Sequence, residues 1–126
     1  MSRNFSTKSL GYTPGMDCIF CKIARKELPA EIVYEDDGVI GFRDLNPQAP
    51  THVLVIPKTH VDSLAAANDA KMLGRLLLAA AEVARRENLE SGGYRVILNN
   101  GQGAGQSVFH LHAHVLGGRG FAWPPG

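Results

Sequence analysis

The sequence predicts an α+β domain: a mainly antiparallel five-stranded sheet with one short and one long helix. Three observations carry this. Apolar residues recur at helical spacing in only two segments, one short and one long. Five short runs are either alternating or continuously apolar and are rich in β-branched residues. The order is helix, hairpin, strand, helix, hairpin, so strands do not alternate with helices as a doubly wound parallel sheet requires.

In chain order, Cys18 to Glu27 reads as a helix in which Ile19, Phe20 and Ile23 share a face before Pro29. Glu31 to Tyr34 and Val39 to Phe42 flank Asp36-Asp37-Gly38, a turn signal for a tight hairpin. Pro47 and Pro50 impose a loop. Val53-Leu54-Val55-Ile56, apolar throughout, reads as a central strand covered on both faces and ending at Pro57. From Asp69 to Asn88, Met72, Leu73, Leu76, Leu77, Ala80, Val83 and Ala84 mark the long helix, with Asn68 or Asp69 as its cap and Gly92-Gly93 beyond its end. Tyr94 to Leu98 and His110 to Leu116 are the last two strands, joined by a glycine-rich loop.

The chain has 126 residues, enough for one domain with a real core at 44% apolar content, and no room for a second. Residues 1–15 read as a disordered tail and 16–126 as the domain. Thirteen Lys and Arg against twelve Asp and Glu give a net charge of +1, so no general attraction to nucleic acid or anionic membranes is encoded. No apolar run is long enough to span a bilayer, and the polar start lacks the apolar middle of a secretory signal, so the expected location is the cytoplasm. Cys18 and Cys21 are the only cysteines, which excludes a disulfide framework and leaves a metal half-site or a redox pair.

The chemistry concentrates near the C-terminus. His110, His112 and His114 alternate with Leu111 and Ala113, so on a strand all three rings project from one face, roughly 7 Å apart. Just before them runs Asn99-Asn100-Gly101-Gln102-Gly103-Ala104-Gly105-Gln106-Ser107, whose glycines permit a backbone that aims several N–H groups at an anion. It is neither a dinucleotide fingerprint, since a strand follows it, nor a P-loop, since it lacks Lys-Ser or Lys-Thr. An anion cradle beside a row of imidazoles suits attack on phosphorus. His112 is the expected nucleophile, loop amides and Gln106 the expected stabilisers of the equatorial oxygens, and Ser107 or His114 the aid to the leaving group.

The run Gln106-Ser107-Val108-Phe109-His110-Leu111-His112-Ala113-His114-Val115-Leu116 resembles the signature of the histidine triad (HIT) superfamily. Asp17 to Glu27, Tyr34-Glu35-Asp36-Asp37, Asn46 to His52, Val55-Ile56-Pro57-Lys58 and the ending Gly117-Gly118-Arg119 with Trp123-Pro124-Pro125-Gly126 are similar to its Hint branch. The resemblance implies a HIT-like fold and a purine nucleoside phosphoramidase working through a nucleotidyl-histidine on His112. It assigns Asp44 to the ribose hydroxyls and Phe20, Ile23 and Leu45 to the base pocket. The same resemblance implies that Asn99, Gly105, Gln106, Ser107 and His114 contact the phosphate and ribose, with His52 nearby in support, and that Trp123 reaches the partner's site in a homodimer.

The Cys-x-x-Cys departs from the best-known Hint proteins and matches other branches of the family. There, by resemblance, one structural zinc per chain is held at positions matching Cys18, Cys21, His60 and His110. Such a closed Cys₂His₂ set removes His110 from catalysis. Two rival readings stand beside the phosphoramidase: a regulatory module that binds AMP or GMP with incidental turnover, and a dinucleoside polyphosphate hydrolase.

Overall fold

The computed structural model describes residues 18–126; the tail expected over residues 1–15 and the domain start at residue 16 lie outside the described residues. The elements are α1 (Ile19–Ala24), β1 (Ile32–Glu35), β2 (Val39–Arg43), β3 (Thr51–Pro57), α2 (Ala70–Arg86), β4 (Tyr94–Ile97), a single 3₁₀ turn (Gln102–Ala104) and β5 (Ala113–Gly117). The strands form one antiparallel sheet in the order β1-β2-β3-β5-β4. Five strands, one short helix and one long helix match the expected α+β architecture.

The turn between β1 and β2 closes as its sequence requires. Asp36 Oδ1 accepts the backbone N–H groups of Gly38 and Val39, and Asp36 Oδ2 accepts the Tyr34 hydroxyl, so one side chain satisfies the donors of a tight turn. In β3 the two faces go to different layers. Val53 and Val55 pack with Leu76, Ala79, Ala80, Val83 and Ala84 of α2, whereas Leu54 and Ile56 pack with Phe20, Ile40 and Phe42 on the opposite face. That double coverage explains why β3 is apolar throughout.

Both helices are shorter than expected, for the same reason. Each ends in a non-glycine residue in the left-handed region, Lys26 at φ 64° and Asn88 at φ 61°. The following N–H reaches back to close the end, Glu27 N to Lys22 O and Leu89 N to Ala84 O. The α1 helix therefore stops before Pro29 has any influence. At the other end of α2, Asp69 accepts from Lys71 N and Met72 N as the N-cap.

The last strand also departs from expectation. A strand expected over residues 110–116 begins only at Ala113, where pairing with Val55 of β3 starts. Upstream, Leu111 N donates to Val61 O at 2.6 Å, so this extended segment leaves the sheet and binds the chain that follows β3. Alternation nevertheless persists: Leu111, Ala113 and Val115 enter the α2 layer, and the three histidines occupy the other face.

Candidate active site and metal centre

The histidine row runs between two environments on the α1 face of the sheet. At one end, His110 is fully buried with its Nδ1 3.4 Å from both Cys18 Sγ and Cys21 Sγ, and His60 Nδ1 lies 3.3 Å from Cys21 Sγ. At the other end, His112 and His114, their ring centroids 4.9 Å apart, face an apolar cleft of about 270 Å³. Phe20 stands between, its ring edge-on to His110 at 6.0 Å and to His112 at 5.2 Å.

Hydrogen-bond partners assign the tautomer of every histidine. A carbonyl oxygen only accepts, so His110 Nε2, 2.8 Å from Pro57 O, carries its proton, and Nδ1 presents a lone pair to the thiols. His60 Nε2 likewise donates to Asp62 Oδ1 at 2.6 Å, leaving its Nδ1 free. His112 Nδ1 donates to His110 O at 2.7 Å, which leaves the Nε2 lone pair of His112 uncommitted. His52 is oriented the opposite way. Its Nδ1 accepts from Gln48 N at 3.0 Å, so its proton sits on Nε2 and is donated to His114 Nδ1 at 2.9 Å, with Asp44 Oδ2 3.4 Å from the same nitrogen. His114 then carries its proton on Nε2, directed away from His52.

This logic separates two clusters that could each hold a metal by proximity, Cys18-Cys21-His60-His110 and Asp44-His52-His114. In the first, each imidazole is anchored at its far nitrogen by an acceptor, the arrangement that orients metal-bound histidine. Its sulfur-to-nitrogen separations of 3.3–3.4 Å approach the roughly 3.5 Å edge of a tetrahedron with zinc-like bond lengths. Two thiols and two oriented imidazoles fit a structural zinc. In the second, the Gln48 N–H forces a proton onto the nitrogen that would have to bind, so the cluster serves as a hydrogen-bond relay. Burial and the neighbouring Cys18 charge push Cys21 up to about 11, so binding a metal there releases a proton.

The cleft is walled by Ile19, Phe20, Ile23, Phe42, Leu45, Leu54 and Val108, and its polar lining includes Asp44, Ser107, His112 and His114. Phe20, Ile23, Asp44, Leu45, Ser107, His112 and His114 are thus brought together as expected; Ile19, Phe42, Leu54 and Val108 were missed because core residues and pocket walls share one composition. Leu45 is fully exposed at the mouth. A larger cavity of about 450 Å³, lined by Val39, Pro57, Val61, Lys71, Met72 and Arg75 among others, holds none of these histidines, so chemistry selects the smaller one.

The glycine-rich loop turns at Gly101, φ 89°, and Gly105, φ 98°, conformations that other residues resist, but its amides do not form the expected anion cradle: the N–H groups of Gly101, Ala104, Gly105 and Gln106 all bond within the loop. Gln106 is the exception to its expected role. It is buried, its Oε1 accepts from Gly101 N, and its Nε2 donates to Asp62 O and Val108 O. Both ends of the amide are spent holding the loop, which leaves it no donor for a phosphate. Asn99, Gly105 and Gln106 do not line the cleft, and Trp123 stands 83% exposed away from it. Asp62 was missed, although its position two residues after His60 was the available signal. The Gln48 N–H had no sequence signal.

Burial lowers the pKa of His52 and of His112, and burial followed by repulsion from His112 and His52 holds His114 down to about 4. The unfolded chain binds a proton near 6.5 that native His114 refuses, so stability is full above that pH and falls as pH drops toward 4. Urea unfolding at pH 7 and pH 5.5 is expected to show a loss on the order of 1 kcal/mol. Equal stability at both pH values would contradict the neutral relay.

The family described as HIT domain matches residues 25–121. A 14 kDa zinc-binding protein of Zea mays is 53% identical over 112 residues, covering 86% of this chain and 87% of that protein. Among solved structures, a HIT family hydrolase from Legionella pneumophila superposes with TM-score 0.85 at 47% identity, over 87% of this chain and all of the other. A histidine triad nucleotide-binding protein from Candida albicans does so with TM-score 0.76 at 34% identity, over 87% and 85%. The chain belongs to the HIT-domain family. Among the described residues, no helix is long and apolar enough to cross a membrane.

Proposed function

We propose that the protein hydrolyses purine nucleoside 5′-phosphoramidates and aminoacyl-adenylates through a nucleotidyl-histidine on His112. One observation carries this reading: His112 Nδ1 is committed to the His110 carbonyl at 2.7 Å, so the lone pair of Nε2 is available on a ring that lines the cleft. With its pKa lowered by burial, the ring stays neutral, and therefore nucleophilic, at physiological pH.

In the first step, the His112 Nε2 lone pair bonds to phosphorus, the bond from phosphorus to the leaving amine breaks, and the amine departs with a proton. His114 Nε2–H and the Ser107 hydroxyl, both at the cleft, are the available donors. In the second step, water attacks the same phosphorus and gives its proton back to the group that protonated the amine, the bond to His112 breaks, and the nucleoside monophosphate leaves. Asp44 Oδ1 accepts from Asn46 N, which aims the carboxylate, and its remaining lone pairs suit the two ribose hydroxyls. Of the glycine-rich segment only Ser107 lines the cleft, and it is the residue placed to contact the phosphate. The base pocket walls are apolar, which suits a stacked purine without reading its edge.

The zinc-binding name of the maize relative, together with the oriented Cys₂His₂ cluster, supports a structural zinc held by Cys18, Cys21, His60 and His110. A metal with four protein ligands supplies rigidity and no open position for substrate. The hydrolase and nucleotide-binding names of the structural relatives support the activity class. A homodimer fits exposed Val96 on the edge strand β4 and exposed Leu77 and Leu78 on α2, and a cytoplasmic location fits reduced thiols.

The test is to mix the protein with an adenosine phosphoramidate, denature it in alkali during turnover and weigh its peptides. An adenylyl mass increment on the peptide bearing His112 is expected. Turnover without any such adduct refutes the covalent route. Faster hydrolysis of a diadenosine polyphosphate in parallel assays reassigns the substrate class.

A further inference from the structure

The α1 helix holds two kinds of residue at once. Cys18 caps it and Cys21 lies on it, both facing His110, while Ile19, Phe20 and Ile23 form one wall of the cleft. Six residues are too few to hold a helix by its own hydrogen bonds. Nor does α1 pack extensively on any other element; Phe20 is its one deeply buried apolar anchor, edge-on to Phe42 at 5.5 Å, with Ile23 and Ala24 partly buried beside it. Beyond the exposed Lys26–Glu35 ion pair just past its end, what fastens the helix is the thiol–imidazole cluster, whose other two members come from the segments after β3 and before β5.

We propose that the metal held by Cys18, Cys21, His60 and His110 positions the base-binding wall of the cleft, so that metal occupancy and nucleotide affinity are coupled. This rests on the nucleotide reading above. Cys18, Cys21 and His60 are then positioning residues: they touch no part of the nucleotide and act through α1. Phe20, in contact with both His110 and His112, relays the metal's constraint to the nucleophile's ring as well. Because the two ligands share one element, the effect runs both ways: whatever factor the metal adds to nucleotide affinity, the nucleotide adds to metal affinity.

The experiment measures binding and not turnover. Calorimetry with AMP is run on the zinc-loaded full chain and on the chelator-stripped chain, with hydrogen exchange of α2 as a control for global folding. AMP affinity is expected to drop at least tenfold on stripping, with exchange rising over residues 18–24 and unchanged in α2. In the loaded protein, saturating AMP is expected to tighten zinc against a competing chelator by the same factor. Ile23→Ala is expected to weaken AMP while keeping stoichiometric zinc. Equal AMP affinity with and without zinc, or zinc affinity indifferent to AMP, overturns the coupling and leaves the nucleotide reading intact. If the loaded protein binds no AMP at all, the nucleotide reading fails and takes this inference with it. Should stripping unfold α2 as well, the zinc-competition arm alone decides.

Discussion

Replacing His112 with alanine is expected to lower turnover of an adenosine phosphoramidate by about 10⁴-fold or more while AMP still binds within a few-fold of wild type. Loss of a covalent nucleophile removes the reaction path and not merely one stabilising contact, and comparable deletions in nucleophilic enzymes cost this much or more. A factor of 10⁴ corresponds to roughly 5.5 kcal/mol of barrier. Binding survives because the cleft walls, Asp44 and Ser107 are contributed by other residues. His112→Asn keeps a polar side chain beside Phe20 and separates lost chemistry from the void that alanine leaves. Single-turnover kinetics alongside AMP titration checks both halves. Near-equal rates in mutant and wild type would show that this imidazole does not attack phosphorus, and lost AMP binding would show that the ring holds the site together.

The second large effect is expected from metal removal. At free zinc about a thousandfold above its dissociation constant, binding to the native state alone contributes roughly 4 kcal/mol. For a domain of this size that corresponds to a fall in Tm on the order of 15 °C when a chelator strips the site. Cys18→Ser is expected to lose most of the same increment and to become insensitive to the chelator, because a hydroxyl is a poor zinc ligand. Metal analysis at one zinc per chain before stripping, followed by calorimetric melting, checks the expectation. Unchanged melting after verified removal, or zinc far below one per chain in protein purified without chelators, would leave the cluster as paired thiols and imidazoles with no structural metal.

Much of the fold was legible. The period of 3.6 in α2, the continuous run in β3 and the Asp36 turn are local patterns whose physical causes act within a few residues, and each element formed where those patterns lie. Boundaries were less legible. Lys26 and Asn88 end their helices in left-handed conformations, which asparagine favours and lysine does not announce. His110 and His112 keep strand-like alternation without pairing in the sheet, because Leu111 N finds Val61 O instead.

The candidate site divides in the same way. Spacing alone placed His110, His112 and His114 on one face, and the glycines of the loop marked its turns. Gln106 was misread because its amide is equally suited to a phosphate oxygen and to the Gly101, Asp62 and Val108 backbone, and only packing decides between them. His52 became interpretable only when the Gln48 N–H was seen to choose its tautomer.

By itself the sequence determined the architecture, the identity of the chemically competent side chains and which of them share a face, since these follow from short-range periodicity and residue chemistry. Tertiary structure decided which nitrogen of each imidazole carries its proton, and hence which nitrogen is left with a lone pair. Those protons are set by single donors and acceptors distant in the chain, the carbonyl of Pro57 for His110 above all, and no pattern local to a histidine encodes its partner.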